Sequence, residues 1–281
     1  MKRLHILYTL LFIWLLPVTS NGQPAGKEKL RVISYNIWNG FEHDASRRAN
    51  FINWIKGQQP DILAMTELVG FTEKDLGQLA SEYGHKSYAI VKEEGYPVGI
   101  TSNEPITVVK KQMEGFWHGM LHVKTHGLDM IVTHLSPHDW KFRLKEAQML
   151  TSYIQDNQLD NCMVMGDFNA YSPFDADWVE THAQLIENMQ KWDAEQEAYR
   201  NMRDGRFDYS VLSKFLSIGL TDICRLYVPA DKRTTFPAAF LYGWQHGDTR
   251  LHGIGERLDY ILVSPSLVSR CLDARIHNGI E

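Results

Sequence analysis

The most constraining feature of the sequence is a set of short strand-like segments that are apolar on both faces. Three of them are "DILAM" at 61–65, "MIVTHL" at 130–135 and "CMVMG" at 162–166. Strands of this kind are typical of the middle of a sandwich whose outer faces are covered by helices. Amphipathic helical segments alternate with them, without a repeat or a long linker. The pattern indicates one α/β domain.

The segment boundaries follow from this alternation. We predict strands over 31–35, 61–65, 87–92, 97–101, 120–125, 128–133, 162–165 and 258–263. We predict helices over 46–58, 72–83, 137–157, 175–192 and 209–217. The second helix has Thr72 as its N-cap residue and Asp75 three positions later, which is the pattern of a capping box.

The N-terminus has the pattern of an export signal. Two basic residues precede an apolar run over Leu4–Leu16, and small residues follow up to Ser20. The run is shorter than the roughly 20 apolar residues of a spanning helix. We therefore predict a signal peptide over 1–20 and a short N-terminal lead over 21–29. The mature protein is expected to be secreted or periplasmic with no stable membrane span, and an uncleaved anchor is the alternative.

Charge and cysteine content exclude several classes of protein. The formal net charge is −5, which is not the basic surplus of a protein that holds nucleic acid by charge alone. A nucleic-acid substrate held through a metal ion stays open. Cys162, Cys224 and Cys271 are too few and too scattered for a disulfide framework or a thiolate zinc site. We predict that all three are core thiols.

Polar side chains that could bind a metal ion or a phosphate lie at the ends of the predicted strands, and one lies at a strand start. They are Asn36, Glu67, His134, Asp167, Asn169 and Asp259. A strand end holds its side chain at the rim of a rigid sheet, and carboxylates, carboxamides and imidazole suit a hard cation and a phosphate. Taken alone, each residue could instead have an ordinary structural role, such as satisfying a turn, capping a helix, lying in the core as a histidine or, for Asp259, pairing with Arg257. Together they favour a functional site.

The most specific motif is Gly-Asp-Phe-Asn at 166–169. Its glycine permits a tight turn. Asp167 and Asn169 are two residues apart, so they point to the same side of an extended chain.

The ordered motifs resemble those of the endonuclease/exonuclease/phosphatase superfamily, which includes deoxyribonuclease I, apurinic endonucleases, neutral sphingomyelinases and inositol polyphosphate 5-phosphatases. The resemblance covers nearly the whole mature chain. It rests on "ISYNIWNG", "PDILAMTEL", "IVTHL" with a following helix that carries Arg143 and Glu146, "VMGDFNAYSP", "GLTD" and "RLDYILVSP". It implies a four-layered α/β sandwich, in which two packed, mostly antiparallel mixed sheets are flanked by helices.

The resemblance also implies a role for each site residue. It makes Glu67 the principal ligand of a Mg²⁺ or Mn²⁺ ion, with Asn36 beside it as a second metal-binding residue. His134 resembles the donor to a phosphate oxygen, Asp167 the residue that orients or deprotonates the attacking water, and Asn169 a stabiliser of the developing charge. His134 and Asn169 would thus also bind substrate. The expected activity is endonuclease-like hydrolysis of phosphodiester bonds by metal-assisted in-line attack of water.

The chain departs from the family pattern near its C-terminal end. Asp259 resembles a catalytic carboxylate that orients a second histidine, which the family carries in a Ser-Asp-His motif, and this sequence holds no Ser-Asp-His. We interpret 272–277 as the strand that normally precedes that motif. The domain over 30–281 is therefore expected to be C-terminally incomplete and to lack its last strand, which would expose a sheet edge. His277 is a poor substitute for the missing histidine.

Two segments are candidates for setting the choice of substrate. The segment between Asn169 and Asp222 is rich in Trp, acids and amides, and a solvated helical surface is its alternative interpretation. The loop 234–255 holds aromatics that could stack on a base or sugar, or meet lipid. Its His246 and His252 are typical of surface loops. DNA, RNA, lipid and small phosphoesters therefore stay open as substrates.

Two other functional classes remain as alternatives. A non-catalytic member of the same fold that binds phosphate or metal would explain the missing histidine. A zinc hydrolase is more distant, because none of the 12 histidines lies in a His-Glu-x-x-His motif. The leading prediction is a secreted, monomeric, metal-dependent phosphoesterase whose partner is a phosphodiester substrate, either nucleic acid or a smaller phosphoester.

Overall fold

The computed structural model describes residues 29–238 and 255–278. The predicted signal peptide and most of the predicted lead lie outside the described residues, as do His246, His252 and most of the loop 234–255. Within the described ranges, no helix combines the length and the apolar character needed to cross a bilayer.

Strands and helices alternate along the described chain. The strands are β1 (Val32–Asn36), β2 (Ile62–Thr66), β3 (Ser87–Ile90), β4 (Gly99–Ser102), β5 (Thr107–Gln112), β6 (Met120–Thr125), β7 (Leu128–His134), β8 (Cys162–Asp167), β9 (Met202–Arg203), β10 (Arg206–Phe207), β11 (Thr221–Asp222) and β12 (Asp259–Val263). The helices are α1 (Ala45–Gln58), α2 (Glu73–Glu82), α3 (Trp140–Asp156), α4 (Ala176–Glu180), α5 (Ala183–Glu195), α6 (Ser210–Ser217), α7 (Ile223–Tyr227) and α8 (Pro265–Val268).

Two mixed sheets form the centre of the fold. One has the strand order β1-β2-β4-β3, and the other has the order β11-β12-β8-β7-β6-β5. The pairs β1–β2 and β7–β8 are parallel, and the remaining pairs of these two sheets are antiparallel. The predicted sandwich of mostly antiparallel mixed sheets flanked by helices is confirmed.

Alternate residues of the central strands face two different cores. In β2, Ile62 and Ala64 pack between the two sheets, whereas Leu63 and Met65 pack against α1 and α2. In β8, Val164 joins the core formed with α3 and α6. Because each central strand has a core on both sides, its sequence is apolar at consecutive positions. The layers are therefore helices, sheet, sheet and helices.

The helix starts follow local capping chemistry. The predicted capping box of α2 is present, since Thr72 Oγ1 accepts from the Asp75 N–H at 3.1 Å and the Asp75 carboxylate accepts from the Thr72 N–H at 3.0 Å. The helix predicted from residue 137 begins instead at Trp140. Its N-cap is Asp139, whose carboxylate accepts from the Phe142 N–H at 2.8 Å.

The prediction of a strand over 272–277 is wrong. The described backbone of this segment forms no strand. Ala274 and Ile276 pack against the core between the sheets, while Asp273 and Arg275 pair with each other at the surface. The alternating pattern is thus satisfied by side-chain packing, without a strand ladder.

Other differences concern the elements themselves, since the short elements β9, β10, β11, α7 and α8 were not predicted. The helix predicted over 175–192 is divided into α4 and α5, and His182 between them hydrogen-bonds the Trp178 carbonyl at 2.6 Å. Strand β5 was not predicted, because its mostly exposed residues at the sheet edge lack an apolar alternation. The cysteines are free thiols, with Cys162 and Cys224 buried and Cys271 half-buried.

Candidate active site

The strand ends that carry the predicted residues meet at one rim of the sandwich. Because β1 and β2 are parallel, Asn36 and Glu67 leave their sheet at the same end. Parallel pairing of β7 with β8 puts His134 opposite Asp167, and the antiparallel β12 starts with Asp259, also opposite Asp167. Strand β1 packs against β8 and β12 of the other sheet. The topology therefore collects side chains that are far apart in sequence.

Asn36 connects the two sheets at this rim. Its Nδ2 donates to Glu67 Oε1 at 2.9 Å and to Asp167 Oδ2 at 3.2 Å. Its Oδ1 accepts from the Trp38 N–H at 2.8 Å. One carboxamide thus holds a carboxylate from each sheet in a fixed position.

Glu67 lies beside a turn of left-handed backbone. All six residues over Trp38–His43 have positive φ, between 52° and 65°, a conformation that costs a non-glycine residue about 1 kcal/mol or more. Glu67 holds this turn, because its Oε2 accepts from the Asn39 N–H and its carbonyl accepts from the Gly40 N–H, both at 2.8 Å. A Cβ on Gly40 would lie 2.0 Å from the Val69 carbonyl oxygen. The turn therefore requires glycine at that position.

The Gly-Asp-Phe-Asn motif folds back onto the end of β7. Gly166 has a φ of 134°, and a Cβ there would lie 1.9 Å from the Thr133 carbonyl oxygen. Asp167 Oδ1 accepts from the Asn169 N–H at 2.9 Å. Asn169 Nδ2 in turn donates to His134 Nε2 at 3.2 Å. The motif thereby orients both its own carboxylate and the neighbouring imidazole.

His134 is a buried, neutral imidazole. Its Nε2 lies 3.7 Å from Asp167 Oδ2, and its Nδ1 has no hydrogen-bond partner among the described residues. Burial lowers the pKa of His134 to about 4, although the negative charge of Glu67 acts to raise it. One ring face stacks on His118, with centroids 4.2 Å apart and planes at 26°. Burial lowers the pKa of His118 to about 2, so neither ring carries charge at neutral pH.

Like charges are crowded around Asp167. Burial raises the pKa of this carboxyl, while hydrogen bonds from the Asn169 N–H and from Asn36 oppose the shift. Burial and then the charge of Asp167 raise the pKa of Asp259 well above its usual range, and Glu67 adds to the effect. Carboxyl groups this close resist full ionisation, so the site favours a proton or a cation among them.

The donor set fits a divalent cation. Ligand atoms of Glu67, His134 and Asp167 lie within 4.8 Å of one another, and all three residues are buried. Two carboxylates and an imidazole suit Mn²⁺, and the carboxylates alone suit Mg²⁺. Asn36 lies beside them with its Nδ2 directed at the carboxylates, so its role as a metal ligand stays a prediction.

Comparison with known sequences assigns the chain to a family. Residues 33–280 match the sequence model of the Endonuclease/Exonuclease/phosphatase family. The chain belongs to this family. A search of curated proteins found no match.

Solved structures share the fold of this family member. An AP endonuclease from Archaeoglobus fulgidus superposes with a TM-score of 0.61 at 21% identity, over 87% of this chain and 90% of that chain. A 3'-5' exonuclease from Neisseria meningitidis superposes with a TM-score of 0.62 at 22% identity, over the same shares of 87% and 90%. The D. rerio protein TDP2, complexed with a single-strand DNA product, gives 0.55 at 16% identity over 85% and 86%. At these identities the likeness concerns the fold.

A buried ion network holds the start of β12 in this family member. Arg257 Nε donates to Asp175 Oδ2 at 2.7 Å, and Arg257 Nη2 lies 2.7 Å from Asp222 Oδ2. Arg233 also pairs with Asp175, at 3.1 Å. Among the described residues, the ion-pair partners of Arg257 are these two aspartates rather than Asp259. The "GLTD" aspartate therefore fixes the strand that presents Asp259.

The residue-based reasoning missed His118 at the site. Strand β6 is antiparallel to β7, so the residue just before β6 reaches the rim where β7 ends. The available signal was a histidine shortly before a predicted strand, but it becomes informative only when the pairing is known. His277, by contrast, packs edge-on against Trp54 of α1 at 5.3 Å, in the outer helical layer.

Glu146 acts behind the rim, in the helix that the motif comparison singled out. Its Oε1 accepts from the Trp117 N–H and its Oε2 from the Ser136 N–H, both at 2.8 Å. Burial raises the pKa of Glu146 to about 7. Arg143 Nη1 donates to the Ser136 carbonyl at 3.1 Å. Helix α3 therefore fixes both loops that flank the histidine stack.

Proposed function

We propose that this chain is a divalent-metal-dependent phosphoesterase that hydrolyses phosphodiester bonds by in-line attack of water. The observation that carries the proposal is the buried cluster of Glu67, His134 and Asp167, whose ligand atoms lie within 4.8 Å of one another. Membership of the Endonuclease/Exonuclease/phosphatase family supports the reaction class. The single-strand DNA product in one structural relative supports a nucleic-acid substrate.

The environment of each side chain suits one task in this reaction. A bound Mg²⁺ or Mn²⁺ would supply Lewis-acid polarisation of a phosphoryl oxygen. The Asp167 carboxylate, oriented by Asn36 and Asn169, accepts the proton of the attacking water. If the carboxylates alone hold the ion, neutral His134 can donate its one N–H toward the charge that grows on the phosphoryl oxygens, from Nδ1 because Nε2 accepts from Asn169. Asn169 holds the plane of that ring, and Asp259 can share a proton with Asp167.

The experiment that tests this function is hydrolysis of bis(p-nitrophenyl) phosphate with added Mg²⁺ or Mn²⁺ and with EDTA. We expect EDTA to abolish turnover and Asp167→Ala to lower it by about 10²-fold or more. The matched control is Asp156→Ala, since Asp156 is exposed at the end of α3. Activity that survives both EDTA and Asp167→Ala would overturn the proposal. Metal binding without turnover would favour the non-catalytic alternative.

We also propose that the protein is exported, on the basis of the charged and apolar pattern of residues 1–20. N-terminal sequencing of protein recovered from the periplasm or the medium tests this. A start near residue 21 supports export, and a cell-associated protein that still begins at Met1 contradicts it.

A further inference from the structure

Three exposed or half-exposed aromatic side chains form a ridge beside the candidate active site. This aromatic ridge consists of Trp117, His138 and Tyr199. Trp117 is 43% exposed and Tyr199 is 41% exposed. The rings of Trp117 and His138 are 5.2 Å apart with planes at 32°, and those of His138 and Tyr199 are 6.0 Å apart. Neighbouring aromatic rings that are partly exposed to solvent are typical of a surface that binds a flat ligand.

The aromatic ridge is held in a fixed position relative to the phosphoesterase cluster. Trp117 directly precedes His118, whose ring stacks on His134. Its backbone N–H is bound by Glu146, and its indole meets the edge of the Phe142 ring at 5.9 Å. The backbone of Trp117 is therefore continuous with that of His118, which contacts His134.

Two cationic side chains lie over the ring of Trp140, the first residue of α3, which follows His138 of the aromatic ridge by two positions. Lys141 Nζ lies 5.5 Å and Arg203 Cζ 4.9 Å from the Trp140 ring centroid. The chain at Arg200 is tied to the ridge, because its N–H donates to the His138 carbonyl at 2.7 Å. Proteins that bind single strands combine stacking faces with cations that follow the backbone.

We propose that the aromatic ridge stacks unpaired bases of a single-stranded nucleic acid beside the scissile phosphodiester, while Lys141 and Arg203 contact its phosphates. This inference rests on the proposed function and names its substrate class. Stacking requires a free base face, so a duplex is bound less well than a single strand. Stacking also contributes affinity in a protein that has no excess of basic residues, which agrees with the formal net charge of −5.

Binding measured in EDTA, where turnover is prevented, tests the proposal. The probes are end-labelled oligomers of about 10 nucleotides, one of thymidine and one of abasic residues, followed by fluorescence anisotropy. Trp117→Ala should weaken binding of the thymidine oligomer about tenfold, since one stacked base contributes about that much. The Trp117→Ala variant should bind the abasic oligomer as tightly as the wild-type protein does. The matched control is Tyr88→Ala, since Tyr88 is 40% exposed on β3 of the other sheet.

A second variant tests the phosphate contacts. The double variant Lys141→Ala/Arg203→Ala should weaken binding of both oligomers. It should also reduce the slope of the logarithm of affinity against the logarithm of salt concentration by about 1 to 2. The control is Lys74→Ala, since Lys74 is an exposed lysine of α2, which should leave the slope unchanged.

Three results would overturn the proposal: equal affinity of the wild-type protein for both oligomers, equal losses for both in Trp117→Ala, or preference for a duplex. Co-sedimentation with phosphatidylcholine/phosphatidylglycerol vesicles that depends on Trp117 while oligomer binding does not would assign the ridge to lipid instead. Hydrolysis of bis(p-nitrophenyl) phosphate separates the two proposals. Turnover without a preference for bases refutes only the ridge, and a preference for bases without turnover refutes only the hydrolase.

Discussion

Asp259 lies directly opposite Asp167 across the antiparallel pair of β12 and β8. Asp167 is buried and Asp259 is half-buried, and Glu67 from the other sheet adds a third carboxyl group to the same region. Such a concentration of acids does not stabilise the fold by itself, because each charge raises the free energy of the others. The arrangement is explained by what the site binds.

The pair makes stability depend on pH in a defined direction. The pKa of Asp259 is raised in the folded protein, so the folded state holds more protons than the unfolded state above about pH 4, and stability falls as pH rises through that window. Asp259→Asn removes this effect. In EDTA, urea unfolding from about pH 4 to about pH 8 should show a smaller loss of unfolding free energy in the variant. Curves parallel to those of the wild type and of the exposed-site control Asp156→Asn would contradict this.

A divalent cation should stabilise the protein through Glu67. Mn²⁺ at about 100 times its dissociation constant should raise the free energy of unfolding by about 2.7 kcal/mol, because it binds the folded state. Glu67→Gln should lose most of this gain in a thermal unfolding experiment. Glu73→Gln alters a half-exposed carboxylate on α2 that pairs with Lys111, and this variant should keep the gain. An equal gain in all three proteins would place the cation elsewhere.

Gly166→Ala should disrupt the joint between β7 and β8. The added Cβ would lie 1.9 Å from a backbone oxygen at a φ of 134°, so we expect a loss of about 3 kcal/mol or failure to fold. Gly57→Ala is the control, because a Cβ there meets no atom within 4 Å. It should stabilise α1 by up to about 1 kcal/mol. Thermal unfolding of both variants tests this prediction. Similar melting temperatures would contradict the close approach of residue 166 to the Thr133 carbonyl oxygen.

Arg257→Met should lower the free energy of unfolding, because it leaves buried carboxylates without their cationic partner. Asp175 and Asp222 are both buried beside Arg257, and removal of one partner of such a network costs about 3–5 kcal/mol. Arg275→Met removes an exposed arginine from a surface pair with Asp273 and should cost less than about 1 kcal/mol. Urea unfolding measures both. Equal, small effects would show that the network does not hold β12.

Much of the central architecture could be predicted because burial on both faces leaves a strong mark on composition. Strands such as β2 and β8 are apolar at consecutive positions, and polar residues such as Asn36 and Glu67 mark where β1 and β2 end. The family resemblance supplied the sandwich and the order of the motifs. The capping box of α2 was predictable because it involves residues only three apart.

The remainder depended on tertiary contacts. The exposed strand β5 has no apolar alternation, and the alternation over 272–277 reports packing without pairing. His118 reaches the site through the pairing of β6 with β7. The aromatic ridge joins residues from three separate segments, so no local pattern indicates it.

The left-handed turn after β1 gives the protein an internal reporter of the site. The N–H groups of Asn39 and Gly40 both donate to oxygens of Glu67, and this backbone is intrinsically disfavoured without such support. Any change in the charge or position of Glu67 is therefore transmitted to two amide protons. Their exchange rates and chemical shifts can register occupancy of the site even when no reaction is taking place.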